Sequence, residues 1–219
     1  MLESGHSHWY SQVARALACA AAAGGALVAT LASAQSLSAA QENTCVAVDQ
    51  VQQDTPMWCW LAVTDMVVSH FSGTHRAQCE MLDEVGGFSA GRCCKDPYSC
   101  LFPASPRFIQ VSLWRFGRVR SHEAGRALSP QELRAALQGG MPVIAQVRMA
   151  CTTLAHVVVI TGIRTESEDH WTPAGHVVQR RSFVTVNDPL AAAPATVPYD
   201  ALRTIWFGTL VIDGAASSR

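Results

Sequence analysis

Charge is what this sequence has least of. Of 219 residues only 15% are charged, the formal net charge is -1, and no run of Lys or Arg exceeds two. A chain without a basic patch offers little to a nucleic acid or an anionic membrane, so neither is expected as a partner. Internal repeats are absent, and so is the alternation of strand and helix that builds βαβ units, which excludes a solenoid and a doubly wound parallel sheet. Past the first residues no apolar stretch is long enough to span a bilayer. Disorder is excluded by composition, since 49% of the residues are hydrophobic and a chain of this length can bury a sizeable core.

Residues 1–34 read as an export signal. A polar start ends at Arg15, an Ala-rich apolar stretch covers 16–31, and Ala32-Ser33-Ala34 supplies a small-residue cleavage site. A membrane anchor is the alternative, but the stretch is short and interrupted by Gly24 and Gly25. Cys19 sits at its start, not at the end where a lipid acceptor belongs, and leaves with the signal. The expectation is a periplasmic or secreted protein, not membrane-bound after cleavage, monomeric, with residues 35–219 forming one domain.

Removing the signal leaves Cys45, Cys59, Cys79, Cys93, Cys94, Cys100 and Cys151, an odd set in a chain bound for an oxidising compartment. At least one thiol therefore lacks an intramolecular partner. Zinc binding by Cys79, Cys93, Cys94 and Cys100 is disfavoured because Cys93 and Cys94 are adjacent and cannot easily converge on one tetrahedral ion. Bridges are expected, with connectivity open.

Residues 35–50 look like a polar lead-in. Residues 58–71 are apolar nearly all round a helical wheel and end at Ser72-Gly73, which predicts a buried helix; Asp54-Thr55-Pro56 offers a cap and a first-turn proline beside Cys59. Residues 74–107, rich in Cys, Gly and Pro, read as a loop region stapled by bridges. Ser129-Pro130 opens a second helix over 131–138, stopped by Gly139-Gly140. Strands are predicted over 142–149, 156–163 and 182–186, with a fourth candidate at 204–212. Helices first and an antiparallel sheet afterwards make an α+β domain.

A cysteine attacks a carbonyl as thiolate, a state favoured by the positive end of a helix and by a neighbouring imidazolium. Cys59 is placed for both. Of the histidines outside the signal, His156 alone opens a strongly apolar strand, Val157-Val158-Val159-Ile160, a rigid platform for a base. The acceptor that would orient its imidazole is sought in Val186-Asn187-Asp188-Pro189. Neighbours on a strand point to opposite faces, so only one of Asn187 and Asp188 can serve. Gln52 and Gln53 offer amide donors for an oxyanion.

Together these residues resemble the papain-like cysteine peptidases, above all a bacterial branch that includes the C39-like bacteriocin-processing peptidases and the C70-like avirulence protease. The resemblance rests on Gln53 six residues before Cys59, Trp58-Cys59-Trp60 followed by Leu61-Ala62, Gly140-Met141-Pro142-Val143-Ile144, His156 to Ile160, and Asp188-Pro189, in that order over roughly residues 50–212. It implies a papain-like fold whose buried nucleophile helix packs on a C-terminal antiparallel sheet. It implies Cys59 as nucleophile, His156 as base, Asp188 rather than Asn187 as orienter, and Gln53 in the oxyanion hole. A protein or peptide substrate follows, with no metal and no cofactor. The chain departs from the papain signature at Pro56, where that signature has a cysteine, which points away from plant and animal cathepsins. Two other readings compete: another Cys-dependent acyl chemistry (an acyltransferase, transglutaminase-like enzyme or cell-wall amidase), and a non-catalytic disulfide-rich binding module.

Overall fold

A computed structural model describes residues 42–149, 154–173 and 175–216. The export signal expected at 1–34 and Cys151 lie outside them. Seven strands form one antiparallel sheet: β1 Glu42–Cys45, β2 Val119–Ala124, β3 Val143–Arg148, β4 Ala155–Thr172, β5 Gly175–Asn187, β6 Ala195–Pro198 and β7 Trp206–Ala215. The order is β2-β7-β3-β4-β5-β6. β1 lies on the β4 edge past the end of β3, pairing Glu42–Cys45 with Thr165–Gly162.

The helices are α1 Cys59–Ser72, α2 Gln78–Gly86, α3 Arg92–Lys95, α4 Pro106–Gly117, α5 Pro130–Gln138 and α6 Tyr199–Arg203, with a 3-10 turn at Pro97–Cys100. Period-two alternation sends the side chains of the central strands to two cores. Ile144, Val157, Val159 and Leu210 meet Leu61, Met66 and Val67 of α1 on one face, with Met81 of α2 and Ile109 of α4 in the same cluster. Val143, Ala145, Val147, Val158 and Ile160 meet Leu133 and Leu137 of α5 and Leu202 of α6 on the other. Because both faces of these strands are covered, they read as unbroken apolar runs. The domain is α+β, with the cysteine-bearing helix packed against the sheet.

Several sequence expectations need correction. Trp58, not Asp54 or Thr55, is the N-cap of α1, and it makes no side-chain capping bond. The helix is instead set by burial from Trp60 to Ser69 and closed by Gly73, whose φ of 70 suits the left-handed stop. The segment 74–107 is not a plain loop: α2 buries Gln78, Met81, Leu82 and Asp83 there. Two bridges, Cys79–Cys94 and Cys93–Cys100, tie α2, α3 and the 3-10 turn together. These four sulfurs are thus paired with each other rather than arranged about a metal. Cys45 is a free, exposed thiol. The polar lead-in contains β1, and the residues that follow β1 are fastened to the sheet. There the Asn187 amide donates to the Val48 carbonyl (3.0 Å) and the Gln53 backbone amide donates to the Pro189 carbonyl (3.0 Å). Among the described residues no helix is long and apolar enough to cross a membrane.

Candidate active site

Cys59 is the first residue of α1, so it sits where the unpaired amides and the positive end of the helix are found. The helix start is held from outside by its two tryptophans. The Trp58 indole donates to the Cys100 carbonyl at 3.0 Å, and that of Trp60 to the Phe102 carbonyl at 2.9 Å. Trp60 also packs edge-on against Phe108, ring centroids 5.2 Å apart. The stapled segment is therefore the outer support of the Cys59 turn.

From the opposite side the sheet supplies His156, the second residue of β4 and in register with Val147 of β3. Its side chain hydrogen-bonds Asp188, and Asp188 and Cys59 both favour its charged form. Nε2 contacts Asp188 Oδ1 at 2.7 Å, which leaves Nδ1 for the thiol. Other His–Asp contacts exist, including His75 with Asp65 (2.8 Å) and His122 with Asp213 (2.8 Å). What separates His156–Asp188 is burial, side chains 7% and 4% exposed against 60% and 42% for His122 and Asp213, together with a thiol on the far side of the ring.

Burial of His156 works against its charged form, but the hydrogen bonds and charges of Asp188 and Cys59 outweigh it, and its pKa is raised from 6.5 to about 9. The imidazolium is therefore the resting form at neutral pH.

The choice between Asn187 and Asp188 follows from strand alternation. Asn187, paired with Val159, turns its amide to Val48 and accepts from Thr161 Oγ1 at 3.3 Å. The next side chain faces the other way and reaches His156. Asp188 is fixed in its own right: Oδ1 also accepts the Leu190 backbone amide at 2.9 Å, and Gln50 Nε2 donates to the carbonyls of Asp188 (2.7 Å) and Ala191 (2.9 Å). Gln50 was not singled out by the sequence. Its only sequence signal is its place just before Gln52 and Gln53, of which the resemblance picks Gln53.

Gln53 donates from Nε2 to the Thr55 carbonyl at 2.7 Å, while its Oε1 is buried without a partner. A carbonyl can only accept, so this contact fixes which end of the amide is nitrogen and leaves one N–H uncommitted. Gln52 contributes only its backbone carbonyl, to Gln78 Nε2 at 2.7 Å.

Beside Cys59 and His156 runs a cleft of about 320 Å³, walled by Met57, Trp60, Pro103, Ile109, Leu154 and Phe207 among others. A half-buried thiol at its edge, an imidazolium behind it and apolar walls make a place where an extended chain can present a carbonyl to sulfur. Among the described residues no group of three or more His, Cys, Asp or Glu side chains converges as a metal site would require.

A comparison with curated proteins finds no match. Among solved structures, the chain is similar to a double glycine motif protease from an AMS/PCAT transporter in complex with the leader peptide, at 14% identity and TM-score 0.49, covering 78% of this chain and 95% of that one. It is similar to a C39-like peptidase from Bacillus anthracis at 13% identity and TM-score 0.49, covering 80% and 100%. It also shares its fold with UfSP from C. elegans at 12% identity and TM-score 0.50, covering 81% of this chain and 35% of that one. The family model of the papain-like cysteine protease AvrRpt2 matches residues 38–197, so the chain belongs to that family and is a cysteine peptidase.

Proposed function

We propose that the protein is an exported thiol peptidase that hydrolyses peptide bonds of a protein or peptide substrate through Cys59, His156 and Asp188. The observation that carries this reading is the placement of His156 between a buried carboxylate at 2.7 Å and the thiol at the start of α1. The Cys59 sulfur, held as thiolate beside the His156 imidazolium, attacks the substrate carbonyl carbon. The resulting oxyanion takes hydrogen bonds from the Cys59 backbone amide and the uncommitted Gln53 N–H. Collapse breaks the C–N bond, His156 protonates the leaving amine, and a thioester on Cys59 remains. Water, deprotonated by the now neutral His156, hydrolyses the thioester and restores the Cys59 thiolate beside the His156 imidazolium. Asp188 holds the ring and balances its charge throughout.

Export is supported by the signal pattern at 1–34 and by two bridges in the described residues, since disulfides persist in oxidising compartments. Cys59 lies in no bridge, as a nucleophile must. Treatment of the mature protein with a thiol-directed peptidyl electrophile, followed by peptide mapping, is expected to place the adduct on Cys59. Equal labelling of a Cys59→Ala variant would refute the assignment. Product analysis on casein against peptidoglycan separates peptide hydrolysis from the other acyl chemistries.

A further inference from the structure

One buried polar group beside the cleft is left without a partner. Gln146 of β3 is 5% exposed, lines the cleft next to Cys59 and His156, and its Nε2 is buried with no hydrogen bond. A stranded donor of this kind is destabilising, and an apolar residue of similar size would remove the penalty. The surrounding structure nonetheless makes room for the amide. Gly208 of β7 stands opposite Gln146 in register, and a Cβ there would lie 2.9 Å from Nε2. The Gly208 carbonyl takes the Trp206 indole N–H at 2.8 Å and not the Gln146 amide. Trp60, Ile109, Leu154, Val157 and Phe207 make the rest of the cleft apolar.

An apolar substrate side chain in this cleft would leave the amide stranded, while a short polar one would leave the apolar walls uncovered. We infer that Gln146 is a specificity-determining residue that reads the polar end of a bulky, otherwise apolar substrate side chain, and that tyrosine fits it. The ring covers the walls, and the phenolic oxygen accepts from Nε2 while its hydrogen can be donated to Oε1. This rests on the peptidase reading and sharpens it to a substrate class. Sites that hydrogen-bond a substrate hydroxyl discriminate against the analogue lacking it, because the site's own polar group is then unpaired.

The test is a set of peptide pairs that differ only by Tyr or Phe at one position, scanned along the substrate, with kcat/KM measured for each. At one position the wild type should prefer Tyr by at least about tenfold, the size of one net hydrogen bond. Gln146→Leu should bring that ratio to about one or below. Gly208→Ala, which pushes the amide aside with its new Cβ, should shift the ratio the same way, so the prediction does not depend on the first variant folding. Iodoacetamide labelling of Cys59 in each variant reports separately on whether the nucleophile survives. Tyr and Phe peptides cut equally at every position, or a Tyr preference that both variants retain, would overturn the inference. A wild type that cuts no peptide and takes no label at Cys59 would instead overturn the peptidase reading beneath it.

Discussion

Nε2 of His156 and Oδ1 of Asp188 lie 2.7 Å apart in a pair buried between β4 and the residue that follows β5. The carboxylate has a second tether in the Leu190 amide, so it is fixed before the imidazole meets it. Asp188→Ala should leave the ring free to rotate away from Cys59, and kcat should fall by about 10²–10⁴ with a much smaller change in KM. Asp188→Asn, which can still accept a hydrogen bond but carries no charge, should lie between. Steady-state kinetics on one peptide substrate checks the order. Wild-type kcat in Asp188→Ala would mean that His156 is oriented by something else.

The raised pKa of His156 gives two pH effects. Because the folded value of about 9 lies above the ordinary 6.5, the charged ring stabilises the native state fully below about pH 6.5, and that stabilisation is lost as pH rises through 9. The difference corresponds to on the order of 3 kcal/mol. Thermal unfolding of the wild type should therefore decline in Tm between pH 6.5 and 9 more steeply than that of His156→Asn. In the same window kcat/KM should show a descending limb near pH 9, shifted to lower pH by Asp188→Asn. Parallel Tm profiles for wild type and His156→Asn would refute the raised value.

Gln53 is expected to act late, on the oxyanion rather than on the bound substrate. Gln53→Ala should lower kcat by roughly 10²–10³ and leave KM nearly unchanged, the signature of an interaction made in the transition state. A rise in KM with kcat preserved would make Gln53 a binding residue, held in place by Thr55 and Pro189 and nothing more.

The two bridges should matter to activity through the tryptophans. The 79–94 bridge closes a separation of 15 residues, for which loop entropy gives about 3 kcal/mol of stability. The 93–100 bridge ties to it the stretch that carries the Cys100 and Phe102 carbonyls, which hold Trp58 and Trp60. Alkylation of the native protein should label Cys45 and Cys59 but reach Cys79, Cys93, Cys94 and Cys100 only after reduction, and reduction should lower both Tm and activity. Native labelling of any of those four would contradict the pairing.

Much of this could be read from the sequence, and the remainder was hidden for physical reasons. The helix of Cys59 and the strands around His156 are legible because burial on all sides leaves long apolar runs. α4 was missed although Ser105-Pro106 opens it as Ser129-Pro130 opens α5: Ser105 Oγ accepts the Phe108 amide, while the twelve residues that follow mix apolar and basic side chains. α2 was obscured by its polar buried residues, since Gln78 and Asp83 face inward to bind the backbone of Asp54 and Cys93 rather than outward to water. β4 and β5 run on as a ribbon through Arg164 to Thr172 and Gly175 to Ser182, where pairing between backbones holds strands whose side chains show no apolar alternation. At the site, strand alternation left Asn187 and Asp188 open and only the resemblance chose Asp188; the structure turns Asn187 toward Val48 and sets Asp188 against His156. Gln50 is held by the Asp188 and Ala191 carbonyls, and Gln146 owes its space to Gly208 opposite it, neighbours that no local pattern announces. A glutamine inside the apolar run Val143 to Val147 was nevertheless a visible irregularity.

The central claim is that the Cys59 sulfur is the nucleophile that breaks a peptide bond. Its most direct measurement is peptide hydrolysis by the wild type and by Cys59→Ala, with acid-quenched wild type examined by mass spectrometry for an acyl group on sulfur. The account predicts turnover and a thioester at Cys59 in the wild type, and loss of hydrolysis by at least about 10⁴ in the variant. Hydrolysis that survives in Cys59→Ala, or an acyl group found on another residue, would contradict it.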